Sequence, residues 1–348
     1  MERYIGLDAH ATSCTFAVLS ERGRRLDSAV VETNGRALVK FLRSVPGDKH
    51  LCLEEGTQSA WLYEVLQGHV RELVVTHAYE RKRGPKDDQR DAFHLAESLR
   101  LGAVSPVYKD RGQLSELRAH ADVYAKLVTD VVRAQNRLKA LFRSRGVQVV
   151  GGAVYTQRDR HAYLDELARP YRGSALILYS ELDALRAIKK EAEKQLIAQS
   201  HQHCISAVLQ TCPGMGPIRV AETIPIIVSP YRFRTARQLW AYSGLAIVMR
   251  SSSDWVKTPH GWERAERLRT RGLNRNYNRR LKNIFKGAAT TVITQRLEPM
   301  VGDYQRCLEQ GTKPPMAKLT LARRISATVL AMWKNKEAYH PERYRPTP

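Results

Sequence analysis

The sequence has no run approaching the ~18 consecutive apolar residues that a membrane-spanning helix needs, so a membrane protein is not expected. Its N-terminus, Met1-Glu2-Arg3-Tyr4-Ile5-Gly6, enters strand-like sequence without a signal peptide, which points to the cytoplasm. Cysteine is scarce: Cys14, Cys52, Cys204, Cys212 and Cys307 are odd in number and never spaced C-x-x-C. That argues against a disulfide framework and against a thiolate zinc site. There is no G-x-G-x-x-G before a helix, no G-x-x-x-x-G-K-[ST] and no H-E-x-x-H, so nothing marks a metabolic enzyme of those classes. Negative charge is short as well. Against 57 Lys plus Arg stand 35 Asp plus Glu, a formal net charge of +22, which predicts a polyanionic partner, nucleic acid first. The 348 residues, 43% of them apolar, suffice for two packed domains.

Residues 1 to about 104 alternate short apolar strands with helical patterns. Tyr4–Asp8, Thr15–Leu19 and Leu26–Val31 read as consecutive strands, the latter two joined by the turn Glu21-Arg22-Gly23. A helix near Gly35–Val45, a strand Leu51–Glu54, a helix Ser59–Gly68, a strand Glu72–Thr76 and a helix Asp87–Leu101 follow. Three meandering strands and then alternation imply a mixed sheet flanked by helices. From about Arg111 to Arg145, apolar residues recur every three or four positions, from Leu114 and Leu117 to Leu138 and Leu141. This is a long amphipathic helix. A second such run, Ser180–Leu209, is separated from it by Gly151-Gly152 and by Pro170–Gly173. The two suggest a helical linker over 105–203, either a hairpin packed within the chain or an oligomerising coiled coil. A mainly helical domain over 204–338 and an extended tail over 339–348 complete the expected organisation.

Each acid of the first domain has an ordinary explanation when taken singly. Asp8 ends the first strand as a turn former, and Glu54 and Glu55 end the fourth. Asp87, Asp88 and Asp91 open a helix, where carboxylates complement the macrodipole and one of them caps. Asp88 and Asp91 (i,i+3) or Asp87 and Asp91 (i,i+4) share a helix face, and paired like charges there are destabilising unless a cation holds them. Together, an acid ending strand one, an acid ending strand four and an acidic pair on the last helix form the layout of an RNase H-like (RuvC-like) nuclease centre. Hard oxygen ligands select Mg²⁺ or Mn²⁺. Two such ions stabilise both the entering and leaving oxygens of a phosphodiester.

In the second domain, Cys212-Pro213-Gly214-Met215-Gly216-Pro217 resembles the turn of a helix-hairpin-helix, whose glycine amides approach a phosphate unobstructed. A helix over Phe233–Leu245 then leads to Arg250-Ser251-Ser252-Ser253-Asp254. A serine there becomes a phosphoryl nucleophile if a metal or base assists its deprotonation. Arg264–Lys286 holds nine Lys or Arg, among them Arg271, Arg275, Arg279, Arg280, Lys282 and Lys286, against one acid, Glu266. We expect this segment to follow a nucleic-acid backbone, with Tyr277 able to stack on bases and Phe285 in helical packing.

These pieces in this order resemble the transposases of the IS110 family, or bridge-RNA-guided recombinases, over nearly the whole chain. Gly6-Leu7-Asp8-Ala9-His10 is similar to the family's G-I-D-V-H, and Asp88-Gln89-Arg90-Asp91-Ala92 to its D-x-x-D-A. Glu54-Glu55-Gly56-Thr57 lies on its E-A-T-G in two registers, of which the one using Glu54 is preferred over that using Glu55. Pro213–Gly216, Gly244-Leu245, Ser251-Ser252 and the basic segment from Arg271 to Lys282 match the motifs of its C-terminal transposase domain. Ser253 stands where the family often has Gly, and Ile247 where it often has Pro; by register the nucleophile is Ser252, with Ser251 next. The resemblance implies that Asp8, Glu54, Asp88 and Asp91 hold Mg²⁺ or Mn²⁺ and that Ser252 attacks DNA. It further implies that Gly214, Gly216, Arg250 and the basic residues contact nucleic acid. The resemblance also implies a structured guide RNA that pairs with donor and target DNA, and assembly as a homo-oligomer, a dimer or tetramer. Two alternatives compete. A RuvC-like nuclease or junction resolvase would cut with water and leave Ser252 idle, and a non-enzymatic nucleic-acid-binding scaffold would bind no metal at the acids.

Overall fold

The computed structural model describes residues 1–77, 87–109, 112–249, 255–264, 270–273 and 276–344. The chain divides into two compact units, residues 1–113 and 114–348. Unit one contains β1 (Glu2–Ala9), β2 (Ser13–Ser20), β3 (Arg25–Glu32), α1 (Gly35–Ser44), β4 (Asp48–Glu54), α2 (Ser59–Leu66), β5 (Glu72–Thr76) and α3 (Asp88–Arg100). Its five strands form one mixed sheet in the order β3-β2-β1-β4-β5, with β1 antiparallel to β2 and parallel to β4. The central strands β2, β1 and β4 are buried on both faces, while the edge strand β3 is largely exposed. On one face Ile5, Leu7, Phe16, Leu51 and Leu53 pack against Leu38 and Leu42 of α1 and Leu62 and Leu66 of α2. On the other, Ala17 and Leu19 meet Ala92, Phe93 and Ala96 of α3, while Cys52 meets Leu95 and Leu99.

Small residues let α3 lie close on the sheet. A Cβ added at Gly6 would stand 1.8 Å from the Ala92 carbonyl oxygen and 2.7 Å from the Ala96 amide nitrogen. Only glycine fits β1 at that point. The N-terminus of α3 is capped by Asp87, whose carboxylate accepts from the amides of Gln89 (3.0 Å) and Arg90 (3.3 Å). The capping acid of the three is therefore Asp87, which leaves Asp88 and Asp91 as the i,i+3 pair.

Unit two begins with α4 (Ser115–Arg143), followed by α5 (Arg160–Glu166), α6 (Arg169–His201), α7 (Ile205–Gln210), α8 (Pro217–Ile227) and α9 (Ala236–Tyr242). Short strands β6 (Ile247–Met249), β7 (Trp255–Thr258), β8 (Gly261–Arg264) and β9 (Thr270–Leu273) precede α10 (Arg279–Gln295), α11 (Met300–Glu309) and α12 (Pro314–Asn335). The helices α4 and α6 are antiparallel partners. Ala134, Leu138 and Phe142 near the end of α4 cluster with Ala175, Tyr179 and Leu182 near the start of α6. Leu117, Ala121 and Tyr124 at the other end share a core with Leu196 and with α8, α10 and α12.

Three expectations need correction. The helix α6 starts at Arg169, not Ser180, because Pro170 occupies its first turn, where its missing N–H costs nothing. The expected helix Phe233–Leu245 is shortened to α9, with β6–β9 between it and α10; β6 pairs with β9 and β7 with β8. The expected extended tail is folded as far as residue 344. Pro341–Arg343 form a 3-10 turn, the Tyr339 amide donates to Thr211 Oγ1 (2.8 Å), and the Tyr344 hydroxyl donates to the buried Asp303.

Candidate metal centre and nucleic-acid interface

Strand alternation decides which acids can meet α3. Gly6 and Cys52, register partners on β1 and β4, both face that helix. Asp8 and Glu54, two residues further along each strand, continue the same face, one position beyond the paired Leu7 and Leu53. Glu55 falls on the opposite side of the period and is engaged there: its carboxylate pairs with the Lys109 ammonium (2.7 Å), which also donates to Ser59 Oγ (3.1 Å). On α3, Asp88 and Asp91 precede Ala92 and Leu95 by one turn, on the side of the helix that covers the sheet. Hence the ends of the two central parallel strands and the first turn of α3 carry Asp8, Glu54, Asp88 and Asp91 to one end of the sheet.

The tightest cluster there contains a residue that was not among the sequence candidates. His10 Nε2 lies 3.3 Å from Asp8 Oδ2 and 3.2 Å from Asp88 Oδ1, and one donor atom from each of the three lies within 4.8 Å of the others. Glu54 and Asp91 stand outside this cluster. The signal for His10 was present in the sequence, since Asp8 and His10 at i,i+2 share a face. Two carboxylates and one imidazole are a donor set that suits a divalent ion. Asp8 has a side chain only 12% exposed, whereas Asp88 and His10 are more open.

Residues of the expected nucleic-acid interface separate into several environments. Arg250, Ser251, Ser252, Ser253 and Arg275 lie outside the described residues, and Arg271 is placed on β9. Arg279 and Lys286 are exposed on α10, and the Lys282 ammonium sits 4.2 Å from the Tyr277 ring centroid. Tyr277 thus has a cation against its ring, and Phe285 is fully buried in the core. Arg280 departs from expectation. Its guanidinium pairs with Asp122 and with Glu222 (3.5 Å) and donates to the Ala121 carbonyl (2.9 Å), so its charge is compensated inside unit two rather than presented outward. Burial pushes the Glu222 carboxyl above its ordinary range despite that pairing.

The turn between α7 and α8 has the two glycines in different roles. Gly214 has φ +79°, and a Cβ there would meet the Ala288 carbonyl of α10 at 2.5 Å. Its glycine is required for packing. Gly216 is the N-cap of α8 and faces open space, on the wall of a cavity of about 650 Å³ that Arg219, Glu222 and Arg280 also line. Among the described residues, no helix is long and apolar enough to cross a membrane.

Comparison with known proteins bears on both units. Residues 5–145 match the transposase family of DEDD type defined on IS110 proteins, and residues 206–305 match the family described as "Transposase IS116/IS110/IS902 family". The chain is 30% identical to a protein of insertion element IS116 from Streptomyces clavuligerus, over 82% of each chain. It is 28% identical to a protein of insertion element IS110 from Streptomyces coelicolor, over 47% of this chain and 37% of that one.

Proposed function

Because this chain belongs to the IS110 family of transposases, we propose that it cuts and rejoins the DNA of an insertion sequence using the acids of unit one and a serine of unit two. The strand order β3-β2-β1-β4-β5, with α3 covering the face that bears Asp8, supports an RNase H-like fold for unit one. The observation that carries the proposal is the meeting of Asp8 and Asp88 around His10 Nε2 at the end of β1. In it, Asp8, Glu54, Asp88 and Asp91 hold Mg²⁺ or Mn²⁺, with His10 beside them. A divalent ion so held supplies Lewis-acid stabilisation of negative charge on phosphodiester oxygens.

Ser252 Oγ is the nucleophile. It loses its proton, bonds to phosphorus and displaces the 3′ oxygen, which is protonated to a 3′ hydroxyl. A phosphodiester link between serine and DNA conserves the bond energy for strand exchange. Arg279 and Lys286, exposed and without acids in their stretch of α10, contact the DNA backbone. A structured guide RNA that pairs with donor and target DNA, and assembly as a dimer or tetramer, belong to the same proposal. The net charge of +22 and the resemblance support the RNA, and the resemblance supports the assembly.

The test is to incubate the purified protein, its co-purifying RNA and element-junction DNA with Mg²⁺, denature, and look for covalent protein–DNA adducts. Wild type should form the adduct and Ser252→Ala should not, with DNA affinity retained. Loss of the adduct in Ser251→Ala alone would move the nucleophile by one residue. Cleavage with no adduct would favour hydrolysis by water.

A further inference from the structure

The hairpin β7–β8 exposes aromatic surface that no part of the proposed chemistry uses. Trp255 is 57% exposed and Trp262 66% exposed. Among the described residues its two strands pair only with each other and join no larger sheet. The register sets Lys257 directly opposite Trp262, with Trp255 two residues before Lys257 on the same strand. Trp255, Lys257 and Trp262 therefore share one face, while Val256 and Glu263, themselves register partners, lie on the other. The acid is segregated from the tryptophans and the cation is placed between them. An isolated two-stranded hairpin is marginal in water, and two exposed indoles on one make it a surface suited to a partner.

We propose that this face binds unpaired bases of the DNA strand, the two indoles acting as stacking platforms and Lys257 meeting one of the phosphates between them. Diagonal cross-strand positions are roughly 7–8 Å apart, about twice the ~3.4 Å rise per nucleotide of one strand, so the two rings suit bases close together on a single strand. Stacking requires a base face that is covered by neighbouring pairs inside a duplex, which selects unpaired nucleotides over intact helix. Lysine on the shared face disfavours a protein partner, because protein interfaces are depleted in lysine. The strong positive charge of the chain and its transposase family make DNA the ligand. Trp255 follows Ser252 by three residues, which limits their Cα separation to about 11 Å. With Ser252 as nucleophile, the stacked bases adjoin the bond under attack. That last step rests on the proposed serine chemistry, whereas base binding by the hairpin does not.

The experiment is an anisotropy titration of the full-length protein with a fluorescein-labelled single-stranded deoxyoligonucleotide, the same sequence as a blunt duplex, and the same sequence as RNA. Trp255→Ala and Trp262→Ala should each weaken binding of the single-stranded DNA by about 5- to 100-fold, while Trp262→Phe restores most of the loss. Duplex affinity should change less than about two-fold, and thermal unfolding should be unaltered because both side chains are exposed. Indole fluorescence of the wild type should be quenched by the single-stranded DNA. Unchanged single-strand affinity in the double alanine variant would overturn the proposal, as would an equal loss on duplex or a loss confined to RNA. Serine chemistry is read separately: an adduct formed with no role for the tryptophans in single-strand affinity refutes only the hairpin, and base binding without an adduct refutes only the serine.

Discussion

Gly6→Ala is a change that touches no acid and should nevertheless dismantle the proposed metal centre. The new Cβ would lie 1.8 Å from the Ala92 carbonyl oxygen. To reach even ~3.2 Å, the first half of α3 must back away from β1 by about 1.4 Å. Trimming Ala92 cannot relieve this, because the clash is with backbone. Asp88 and Asp91 ride on the displaced turn, while Asp8 stays two residues along the strand from the mutation. The oxygens now within 3.2 and 3.3 Å of one imidazole nitrogen would separate by an amount far beyond the ~0.2 Å that metal coordination tolerates. A misplacement of this size costs about 100-fold in rate, and the overpacking itself costs about 1–3 kcal/mol of stability. The assay has two arms, Mg²⁺-dependent cleavage of junction DNA and the rise in thermal midpoint on adding Mn²⁺, each compared with Gly68→Ala, a position with open space around it. The variant should remain folded, lose the Mn²⁺ stabilisation and cleave about 100-fold more slowly. Wild-type cleavage with wild-type metal stabilisation would refute the claim that Gly6 sets the spacing of the site.

Glu54→Gln should abolish cleavage, whereas Glu55→Gln should leave it intact and cost about 1 kcal/mol, the worth of its half-exposed pair with Lys109; cleavage rates and thermal melts of the two variants decide between the registers. Arg279→Gln should lower DNA affinity and reduce the salt slope by about 1 without changing the melting temperature, while Arg280→Gln should destabilise unit two by about 1–3 kcal/mol by leaving Glu222 and Asp122 uncompensated. His50 holds Glu72 (2.8 Å) and Glu2 (2.6 Å) on its two ring nitrogens, a pairing that needs both N–H groups. Burial works against the charged ring, but the two carboxylates together outweigh it and raise the pKa above the ordinary 6.5. The stabilisation is complete below about that value and is lost as pH rises through the folded-state pKa, so denaturant melts should show stability falling with pH in that window and His50→Gln should flatten the fall.

How much of this is legible in the sequence depends on the range of the interaction that fixes each feature. The strand Glu72–Thr76 and the helices starting at Gly35, Ser59 and Asp88 are set by local periodicity and capping, and the structure has them within a residue or so of where the pattern puts them. Four-residue strands such as β7 carry too few positions for a period to register, so β6–β9 leave no mark in the pattern. Pro170 misleads because proline ends a helix when interior and begins one when first, and the sequence alone does not say which.

Arg280 misleads for a different reason. Counting nine cations in Arg264–Lys286 treats them as one surface, but successive residues of a helix diverge by about 100°. Arg280 lies one turn before Ile284 and two before Ala288, both buried, while Arg279 and Lys286 occupy the exposed row. The helical period, followed along α10, by itself turns Arg280 toward the core. For Gly6 no such rule exists. Its importance comes from Ala92 and Ala96, more than eighty residues away, whose backbone fills the space a side chain would need. The acids that do the proposed chemistry are written at strand ends and in a helix turn; the distance between them is written in the small residues underneath. A variant that alters only those small residues therefore tests the site more stringently than one that deletes a carboxylate, because it asks whether position, with every donor still present, is what the fold provides.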